Sequence, residues 1–533
     1  MRWRSGIRPT ISRLPRRRPT EEARWRAYVK TLEPELLARP RVHRFATVPL
    51  LGEALMPPRD VAIWIEGEGE TPSVARAALA AQTAQPAAVH TGSLRDALAN
   101  TRADYMALIQ AEDTPAELAL ERLGQAAALA PDAALITCDD DQLERSGRRR
   151  RPRLRPGPSP ERWLSLDDSG PLLVVKRDAA AKAIPELSSR GGWRHELALR
   201  LAGTAAQAHA HVPLLLCHRG PGASNPAPLD AESIRQIIGA ARVEETHGVR
   251  KVRRAINGEP RVEIVICFRD QPDLLARCVT SVLERTSYDR VSLALVDNDS
   301  SDSATLELLS RFSRRPNIRI LRDERPFNFA ALNNLAAGTS QAEVLLFLNN
   351  DTEVTQDDWL ELLLEEALRP EVGAVAPLLL YPDGAVQHAG AAIGMHDYAG
   401  HPFAGLRPDA ATPFGRPAQG TRNWLAVTAA CMMLERTKFE AVGGFDEAFV
   451  VAGNDVDLCL RLTAAGYRSL CVTHSAIVHD ESQSRGTHID PSDFVRSQRS
   501  YGEFRTVGDP FYNPSLTLKT TDCGLRYPDE VFS

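Results

Sequence analysis

The sequence predicts an α/β fold, with a mostly parallel sheet flanked by helices, and it predicts two tandem modules of this fold. Two observations carry the prediction. Apolar runs of four to seven residues alternate with segments of helical spacing from residue 263 to about residue 480, and a stretch near residue 103 resembles one near residue 342. Such alternation favours parallel strands, because each helix carries the chain back across the sheet before the next strand begins.

The elements of the second predicted module follow one another in a regular order. Each strand is a short apolar run, and each helix repeats its apolar side chains every three to four residues. Strands are predicted at 263–268, 291–297, 318–321 and 343–348, and helices at 274–285, 303–312, 329–338 and 359–368. Ligands of such sheets bind beyond the carboxyl ends of the strands, so the residues that follow each strand are candidates for a binding site.

The charge balance and the apolar content limit the class of protein. The 533 residues include 64 Lys and Arg against 69 Asp and Glu, which argues against a general nucleic-acid-binding protein. No apolar run approaches the roughly 18 residues of a transmembrane helix, and no apolar stretch follows the basic start of the chain. We therefore expect a cytoplasmic protein. Residues 1–50 are predicted to be a basic tail, for which peripheral contact with the anionic inner membrane is an open role.

Acidic and amide side chains follow two of the predicted strands. Asp297 and Asn298 end one strand, and Asn349, Asn350 and Asp351 end another. A carboxylate in such a place can hydrogen-bond a nucleobase or ribose, or hold a hard divalent cation against a diphosphate. Each group taken alone is also typical of a turn, so the two readings stay open at this point.

A second group of candidates lies further along the chain. Asp455 comes at the start of a helical stretch, where a carboxylate can cap the helix or act as a general base. His479 ends an apolar run and has Arg485 close behind it. A single His is more often a structural residue, but its place after a predicted strand favours a functional role.

These residues lie in motifs that point to a family. In chain order the segment contains VEIVICFRD, LALVDNDSSD, FNFAALNN, VLLFLNNDTEV, VGGFDEAF, NDVDLCLRL and HDESQSRG. In this order, residues 260–486 resemble the family 2 glycosyltransferases of GT-A fold, and among them the bacterial rhamnosyltransferase-like enzymes of O-antigen and capsule polysaccharide synthesis. The resemblance implies a nucleotide-sugar donor, a divalent cofactor (Mg²⁺ or Mn²⁺) and inversion at the anomeric carbon.

The resemblance also implies a role for each candidate. Asp351 and His479 are the implied metal ligands, and Asp455 is the implied catalytic base. The implied donor-binding residues are Asp297, Asn298, Asn349, Asn350 and Arg485. Two positions depart from the family pattern: the metal motif reads Asn349-Asn350-Asp351 with a single carboxylate, and the acidic pair that contains the base reads Asn454-Asp455. The first departure puts strong metal dependence in doubt, and the second puts acceptor positioning in doubt.

An internal repeat suggests an earlier, degenerate module at 51–225. ADYMALIQAEDTP (103–115) resembles AEVLLFLNNDTEV (342–354), which puts Glu112 at the position of Asp351. LALRL (197–201) matches LCLRL (458–462), and the same offset puts Arg194 at the position of Asp455 and His218 at that of His479. A bifunctional enzyme with an unconventional first site is the alternative. The remaining segments are predicted as a helical linker (226–258), a catalytic domain (259–490) and a C-terminal tail (491–533).

The expected function is that of an inverting glycosyltransferase of hexosyltransferase type. It would move a sugar, with rhamnose as the family-based guess, from a nucleotide-diphosphate donor to a hydroxyl of a lipid-linked or growing glycan. A non-catalytic glycan-binding or scaffolding protein is the alternative that remains. A sugar nucleotidyltransferase would need a glycine-rich loop after its first strand, whereas residues 267–271 read CFRDQ and contain no glycine.

Overall fold

The computed structural model describes most of the chain. The described residues are 20–39, 41–44, 50–51, 56–66, 73–187, 192–202, 208–221, 229–246, 248–418, 420–480, 491–527 and 530. Arg485 and residues 1–19 of the predicted basic tail lie outside them. Among the described residues, no helix combines the length and the apolar character that a bilayer span requires.

Residues 262–479, termed the second module, build a ten-stranded sheet. Across this sheet the strands are Ile318–Arg322, Val291–Asp297, Val262–Phe268, Val344–Asn349, Cys431–Glu435, Val372–Leu380, Arg468–His479 and Thr352–Val354, with Val386–His388 paired to Val372–Leu380 and Arg422–Trp424 to Arg468–His479. A separate pair joins Ala392–Ile393 to Ala399–Gly400. The helices are Pro272–Arg285, Ser303–Phe312, Phe329–Thr339, Trp359–Ala367, Met395–Asp397 (3₁₀), Arg436–Ala441 and Asn454–Ala464.

The predicted strands and helices of this module are confirmed to within about two residues at each end, but the sheet is mixed rather than mostly parallel. Its first four strands are parallel to one another. Cys431–Glu435 then runs antiparallel to Val344–Asn349. The reason is the connection: residues 381–430 hold short strands and a short 3₁₀-helix in place of one crossover helix, so the chain enters this strand from the opposite end.

Residues 41–219, termed the first module, build another ten-stranded sheet. Across it the strands are Leu50–Leu51, Arg41–Arg44, His209–Arg219, Leu135–Leu143, Leu173–Lys176, Tyr105–Gln110, Val61–Glu66 and Val89–His90, with Thr114–Pro115 on His209–Arg219 and Arg149–Arg153 on Leu135–Leu143. The helices are Ser73–Ala80, Leu94–Asn100, Ala119–Leu129, Pro160–Ser165, Arg177–Ala183, Ile184–Glu186 (3₁₀) and Trp193–Ala202.

The two modules repeat one strand order. From Val61–Glu66 to His209–Arg219, neighbouring strands pair in the same sequence and the same orientations as from Val262–Phe268 to Arg468–His479. Helix Trp193–Ala202 precedes the last long strand of the first module as Asn454–Ala464 precedes that of the second. The predicted pair of tandem α/β modules is confirmed.

The strand pairing corrects the predicted register at the metal motif by one residue. Thr114 pairs with His218 in the first module, and Thr352 pairs with His479 in the second. Asp351 therefore corresponds to Asp113, the residue before Thr114, and not to Glu112. The ungapped comparison failed because the turn after Tyr105–Gln110 is one residue longer than the turn after Val344–Asn349.

The segment 226–258 is only partly helical, against the predicted helical linker. Helix Ala231–Ile238 stops at Gly239, whose φ of 64° belongs to the left-handed region that ends many helices. A hairpin of Arg242–Thr246 and Val249–Arg253 follows. The basic residues of its second strand bind the second module, since Arg253 pairs with Asp358 and Glu365.

The described part of the predicted basic tail is folded. Helices Glu21–Ala27 and Glu33–Ala38 are joined by a π-helical turn, Tyr28–Leu32. Their apolar side chains, Trp25, Tyr28, Leu32 and Leu36, are buried in the core. Trp25 donates a hydrogen bond to the Arg149 carbonyl at 2.7 Å, and Arg149 in turn pairs with Glu33 and Asp141. The tail prediction is wrong here because the partners of this segment come from a hairpin more than a hundred residues away.

The predicted C-terminal tail is also part of the fold. It begins with helices Pro491–Ser500 and Gly502–Val507. The chain then runs between the two modules, where Asn513 donates a hydrogen bond to Asp139 of the first module at 2.7 Å, and Arg422 of the second module donates one to the Phe511 carbonyl at 3.0 Å. Both modules therefore pack against the same C-terminal segment.

A buried ion cluster joins the modules directly. Glu161 of the first module lies 2.6 Å from Arg468 and 2.8 Å from Arg369 of the second, and the side chains of Glu161 and Arg468 are 2% and 1% exposed. Burial alone would raise the pKa of Glu161, but the two guanidinium groups hold it below its ordinary value. The carboxylate therefore stays ionised inside the interface.

Candidate active site

A cavity of about 510 Å³ opens at the carboxyl ends of Val262–Phe268 and Val344–Asn349. The predicted site residues on its wall are Asn298, Asn349, Asn350, Asp351, Asp455 and His479. The structure thus brings together residues that are up to 181 positions apart in the sequence. Asp297 is not on this wall, and Arg485 lies outside the described residues.

His479 and Asp351 contact each other in the cavity. The imidazole Nδ1 donates to Gln387 Oε1 at 3.1 Å, and Nε2 accepts from the Asn349 side-chain amide at 3.4 Å. In a ring that carries its single proton on Nδ1, Nε2 has the lone pair, and this nitrogen lies 3.1 Å from Oδ1 of Asp351. Two acceptors so close repel one another unless a proton or a cation is present.

This donor set suits a divalent cation. An imidazole nitrogen and a carboxylate oxygen are both ligands of such ions, and adjacent ligands of an octahedral ion lie about 3 Å apart. The hydrogen bond from Nδ1 to Gln387 is the outer support that metal-binding histidines have. The described residues contain no group of three or more His, Cys, Asp or Glu that could hold a metal ion.

The two asparagines of the metal motif differ in their surroundings. Asn350 is 4% exposed, and its side-chain NH₂ has no hydrogen-bond partner in the structure. Asn349 reaches His479, as described above. The buried NH₂ of Asn350 is a donor that a ligand oxygen in the cavity could satisfy, because a buried unpaired donor costs free energy.

Asp455 is placed by a glycine turn and not by capping its helix. The helix begins at Asn454, and the residue before it, Gly453, has a φ of 87°. A Cβ atom on Gly453 would lie 2.4 Å from the Tyr501 hydroxyl oxygen, so the turn requires glycine. The carboxylate of Asp455 accepts hydrogen bonds from the backbone N–H groups of Ala429, at 3.2 Å, and Val456, at 2.8 Å. The side chain is half-buried and faces the cavity.

Asp297 stabilises the turn at the end of its strand. One carboxylate oxygen accepts from the backbone N–H of Ser300 at 2.8 Å, and the other accepts from Arg322 at 3.0 Å. Its neighbour Asn298 reaches the cavity wall, where its side-chain amide donates to the carbonyls of Asp323 and Arg325. The turn-forming role that the sequence left open for Asp297 is the one its contacts support.

Gln387 and Tyr398 are cavity residues that the sequence analysis did not single out. Gln387 precedes His388 in the motif VQHAG, and only the sheet pairing brings it to His479. His388 itself is fully buried 2.8 Å from His401, and burial lowers its pKa well below the ordinary value. A neutral, buried His388 supports the cavity wall from behind.

The corresponding place in the first module is filled by a salt bridge. Arg194 is 1% exposed and lies 3.3 Å from Glu66, and it also donates to the carbonyls of Pro171 and Leu108. Asp113, the counterpart of Asp351, is fully buried, and burial raises its pKa to about 7. His218, the counterpart of His479, pairs at 2.7 Å with Asp141 instead. A guanidinium group thus occupies the space that the second module leaves open.

Part of this site lies in a segment that matches a protein-family model. Residues 263–443 match the model of the family described as glycosyl transferase family 2. These residues are similar to the members of that family. The resemblance inferred from the motifs is confirmed for this segment. The match covers the metal motif and ends before Asp455 and His479.

Relatives of the family 2 domain include polysaccharide-related proteins. The chain is 40% identical over 462 residues to the O-antigen biosynthesis protein RfbC of Myxococcus xanthus, which covers 82% of this chain and 36% of that protein. It is 29% identical over 224 residues to an N-acetylglucosaminyl-diphospho-decaprenol L-rhamnosyltransferase of Mycobacterium tuberculosis, covering 37% of this chain and 68% of that protein. The chain spans little more than a third of the length of the Myxococcus protein.

One of the solved structures to which the chain is similar is that of GalNAc-T7 with UDP, GalNAc and Mn²⁺. It is 18% identical to this chain, with a TM-score of 0.38, over 46% of this chain and 48% of that one.

Proposed function

We propose that the second module transfers a sugar from a nucleotide-diphosphate donor to a hydroxyl group of a glycan, with inversion at the anomeric carbon. The observation that carries the proposal is the cavity that holds both the Asp351–His479 pair and the carboxylate of Asp455. One end suits a cation and the phosphates it neutralises, and the other offers a base for a hydroxyl nucleophile. The family 2 match supports the same reaction class.

Asp351 and His479 would hold Mg²⁺ or Mn²⁺. When bound, the ion supplies Lewis-acid neutralisation of the diphosphate leaving group. Gln387 fixes the imidazole tautomer, so that Nε2 presents its lone pair to the ion. The donor diphosphate and water would complete the coordination, and the amides of Asn298, Asn349 and Asn350 line the place where the donor binds.

Asp455 acts as the general base. The acceptor hydroxyl oxygen attacks the anomeric carbon from the face opposite the diphosphate, and the bond from that carbon to the phosphate oxygen breaks. The proton of the hydroxyl passes to the carboxylate of Asp455, a step that contributes typically about 10²–10⁴-fold to the rate. The two backbone N–H groups that bind the carboxylate hold it in place at the cavity.

Rhamnose is the proposed sugar, and a lipid-linked or growing glycan is the proposed acceptor. The support is the pair of relatives named for O-antigen biosynthesis and for rhamnosyl transfer to a lipid diphosphate. Contact of residues 1–19 with the inner membrane stays a prediction.

The first module is proposed to be non-catalytic. Arg194 stands where the base stands in the second module, and its salt bridge with Glu66 fills the place of the donor. Its helices and strands instead carry the interface around Glu161 and the C-terminal segment. The module would then act as a scaffold for the active one.

The deciding experiment measures release of nucleoside diphosphate from dTDP-, UDP- and GDP-sugars with Mg²⁺ or Mn²⁺, with and without an acceptor extract. The wild type is compared with Asp455→Asn and with the control Asp457→Asn, which alters a carboxylate in the same helical turn that pairs with Arg461. We expect release from one donor class, its loss in Asp455→Asn with nucleotide binding retained, and near-normal release in the control. A wild type that neither binds nucleotides nor releases diphosphate would favour a glycan-binding scaffold instead.

A further inference from the structure

The C-terminal helix Pro491–Ser500 contacts the loop that leads to Asp455. Its third residue, Asp493, is fully buried. One oxygen of its carboxylate accepts from the backbone N–H of Val450 at 2.8 Å, and the other accepts from Val451 at 2.8 Å and Ala452 at 2.9 Å. A single side chain therefore satisfies three successive N–H groups of the loop.

The chemistry of this contact requires a carboxylate. Three converging N–H donors form a concave anion-binding site, and hydrogen bonds to an ionised acceptor are about twice as strong as neutral ones. An asparagine at position 493 would offer one oxygen as an acceptor, and its NH₂ group would face at least one of the three backbone N–H donors. The loop thus depends on the charge and on both oxygens of Asp493.

The held loop is part of the active cavity. Val451 and Ala452 lie on the cavity wall, and Gly453 and Asp455 follow them directly. Tyr501, just after the same helix, donates its hydroxyl to the Gly453 carbonyl at 3.4 Å. The C-terminal segment therefore binds this loop through two of its residues, Asp493 and Tyr501, just before the residue proposed to be the base.

We infer that Asp493 is a positioning residue for the base Asp455: it fixes the loop 450–453 and through it the place of the carboxylate in the cavity. The inference rests on the proposed function. It gives residues 491–501 a role in the reaction, although they lie beyond the segment that matches the family model and none of them lies on the cavity wall. Misplacement of a reacting group by about 1 Å can cost about 100-fold in rate, so a loosened loop is enough to matter.

The test compares the kinetics of Asp493→Asn with the wild type. We expect kcat for sugar transfer to fall by about 10- to 100-fold, while the donor KM and the Kd for the nucleoside diphosphate stay within about twofold. Amide hydrogen exchange should become faster at residues 450–453 and stay unchanged in strand Val344–Asn349. Asp493→Glu, which keeps the charge and both oxygens, should recover part of kcat.

A matched control lies on the same helix. Arg496 forms a surface salt bridge with Asp446 at 3.3 Å and lies over the ring of Phe449, so Arg496→Gln perturbs the contacts of this helix just before the loop but removes none of the three N–H bonds to Asp493, and it should leave kcat near normal. Should Asp493→Asn not fold, Tyr501→Phe removes a single hydroxyl and should lower kcat several-fold at constant donor KM.

The outcomes separate this inference from the proposed function. A wild type without transfer activity refutes the proposed function. Amide hydrogen exchange still tests in that case whether Asp493 holds residues 450–453 in place. Normal kcat in Asp493→Asn with an active wild type overturns the inference alone. Loss of kcat together with nucleotide binding, or equal loss in Arg496→Gln, also overturns it, because the residue would then serve only general stability.

Discussion

Arg194 and Asp455 are the second residues of equivalent helices in the two modules, and each bonds the equivalent stretch of backbone with opposite polarity. Arg194 donates to the Pro171 carbonyl at 2.7 Å, whereas Asp455 accepts from the Ala429 N–H at 3.2 Å. The second module has a carboxylate that faces a cavity, whereas the first module has a buried guanidinium group at the equivalent position. Two copies of one fold thus carry a basic and an acidic side chain at equivalent positions.

The first prediction concerns the number of donor sites. Arg194 and Glu66 fill the place in the first module that corresponds to the cavity of the second module. Isothermal titration calorimetry should therefore detect one bound nucleoside diphosphate per chain. Arg194→Ala should leave kcat within about twofold of the wild type, since it removes no group of the active cavity. A second binding event in the wild type, or loss of turnover in a folded Arg194→Ala protein, would revive the bifunctional alternative.

The second prediction concerns Gln387. Gln387→Leu removes the acceptor for His479 Nδ1–H, so the ring is free to change tautomer or rotate. Loss of such outer support typically weakens metal affinity by about 10–100-fold. Electron paramagnetic resonance of Mn²⁺ in the presence of nucleoside diphosphate measures the affinity. The exposed residue Gln341 supplies the control Gln341→Leu, and equal affinities in the two variants would move the metal away from His479.

The third prediction concerns the buried carboxyl of Asp113. Its pKa is about 7 in the folded protein against an ordinary value of 3.8, so between these values the folded state binds more protons than the unfolded state. Stability therefore falls as pH rises through this window, by about 1.4 kcal/mol per pH unit. The Asp113→Asn variant has no titratable group at this position. Its melting temperature minus that of the wild type should therefore increase from pH 5 to pH 8.

Glu112, the exposed neighbour of Asp113, supplies the control for that experiment. Glu112→Gln should show no pH-dependent difference from the wild type. An Asp113→Asn protein whose melting temperature tracks the wild type across the same range would mean that the carboxyl of Asp113 stays ionised.

The fourth prediction concerns the ion cluster between the modules. Glu161→Gln removes the more deeply buried of the two carboxylates that Arg468 and Arg369 share, and breaking a buried pair typically costs about 3–5 kcal/mol. The melting temperature should drop clearly. Glu371 also pairs with both arginines but is 35% exposed, so Glu371→Gln should cost much less. Equal losses in the two variants would show that burial of the cluster does not set its strength.

The sequence was most informative where structure is local. The predicted strand 291–297 and helix 303–312 agree residue for residue with the structure, because each is bounded by turn-forming residues and Asp302 caps the helix. Asn349, Asp351 and His479 could likewise be assigned to one site, since motifs at strand ends converge on one edge of the sheet.

The sequence was least informative where structure depends on distant partners. Trp25 looked like part of a basic tail because its acceptor, the Arg149 carbonyl, lies 124 residues away. Whether Asp455 caps its helix stayed open, because the left-handed conformation of Gly453 cannot be predicted from the residue type alone. Asp493 carried no signal, since the three N–H groups that it binds are ordinary backbone.

The contact of Asn513 with Asp139 joins residues that are 374 positions apart. Contacts of such separation form slowly, because the loop between them must close before they add any stability. During synthesis both sheets can therefore form before residues 491–516 leave the ribosome, while the loop before Asp455 still lacks its contact with Asp493. We expect this loop to become ordered only after the segment docks.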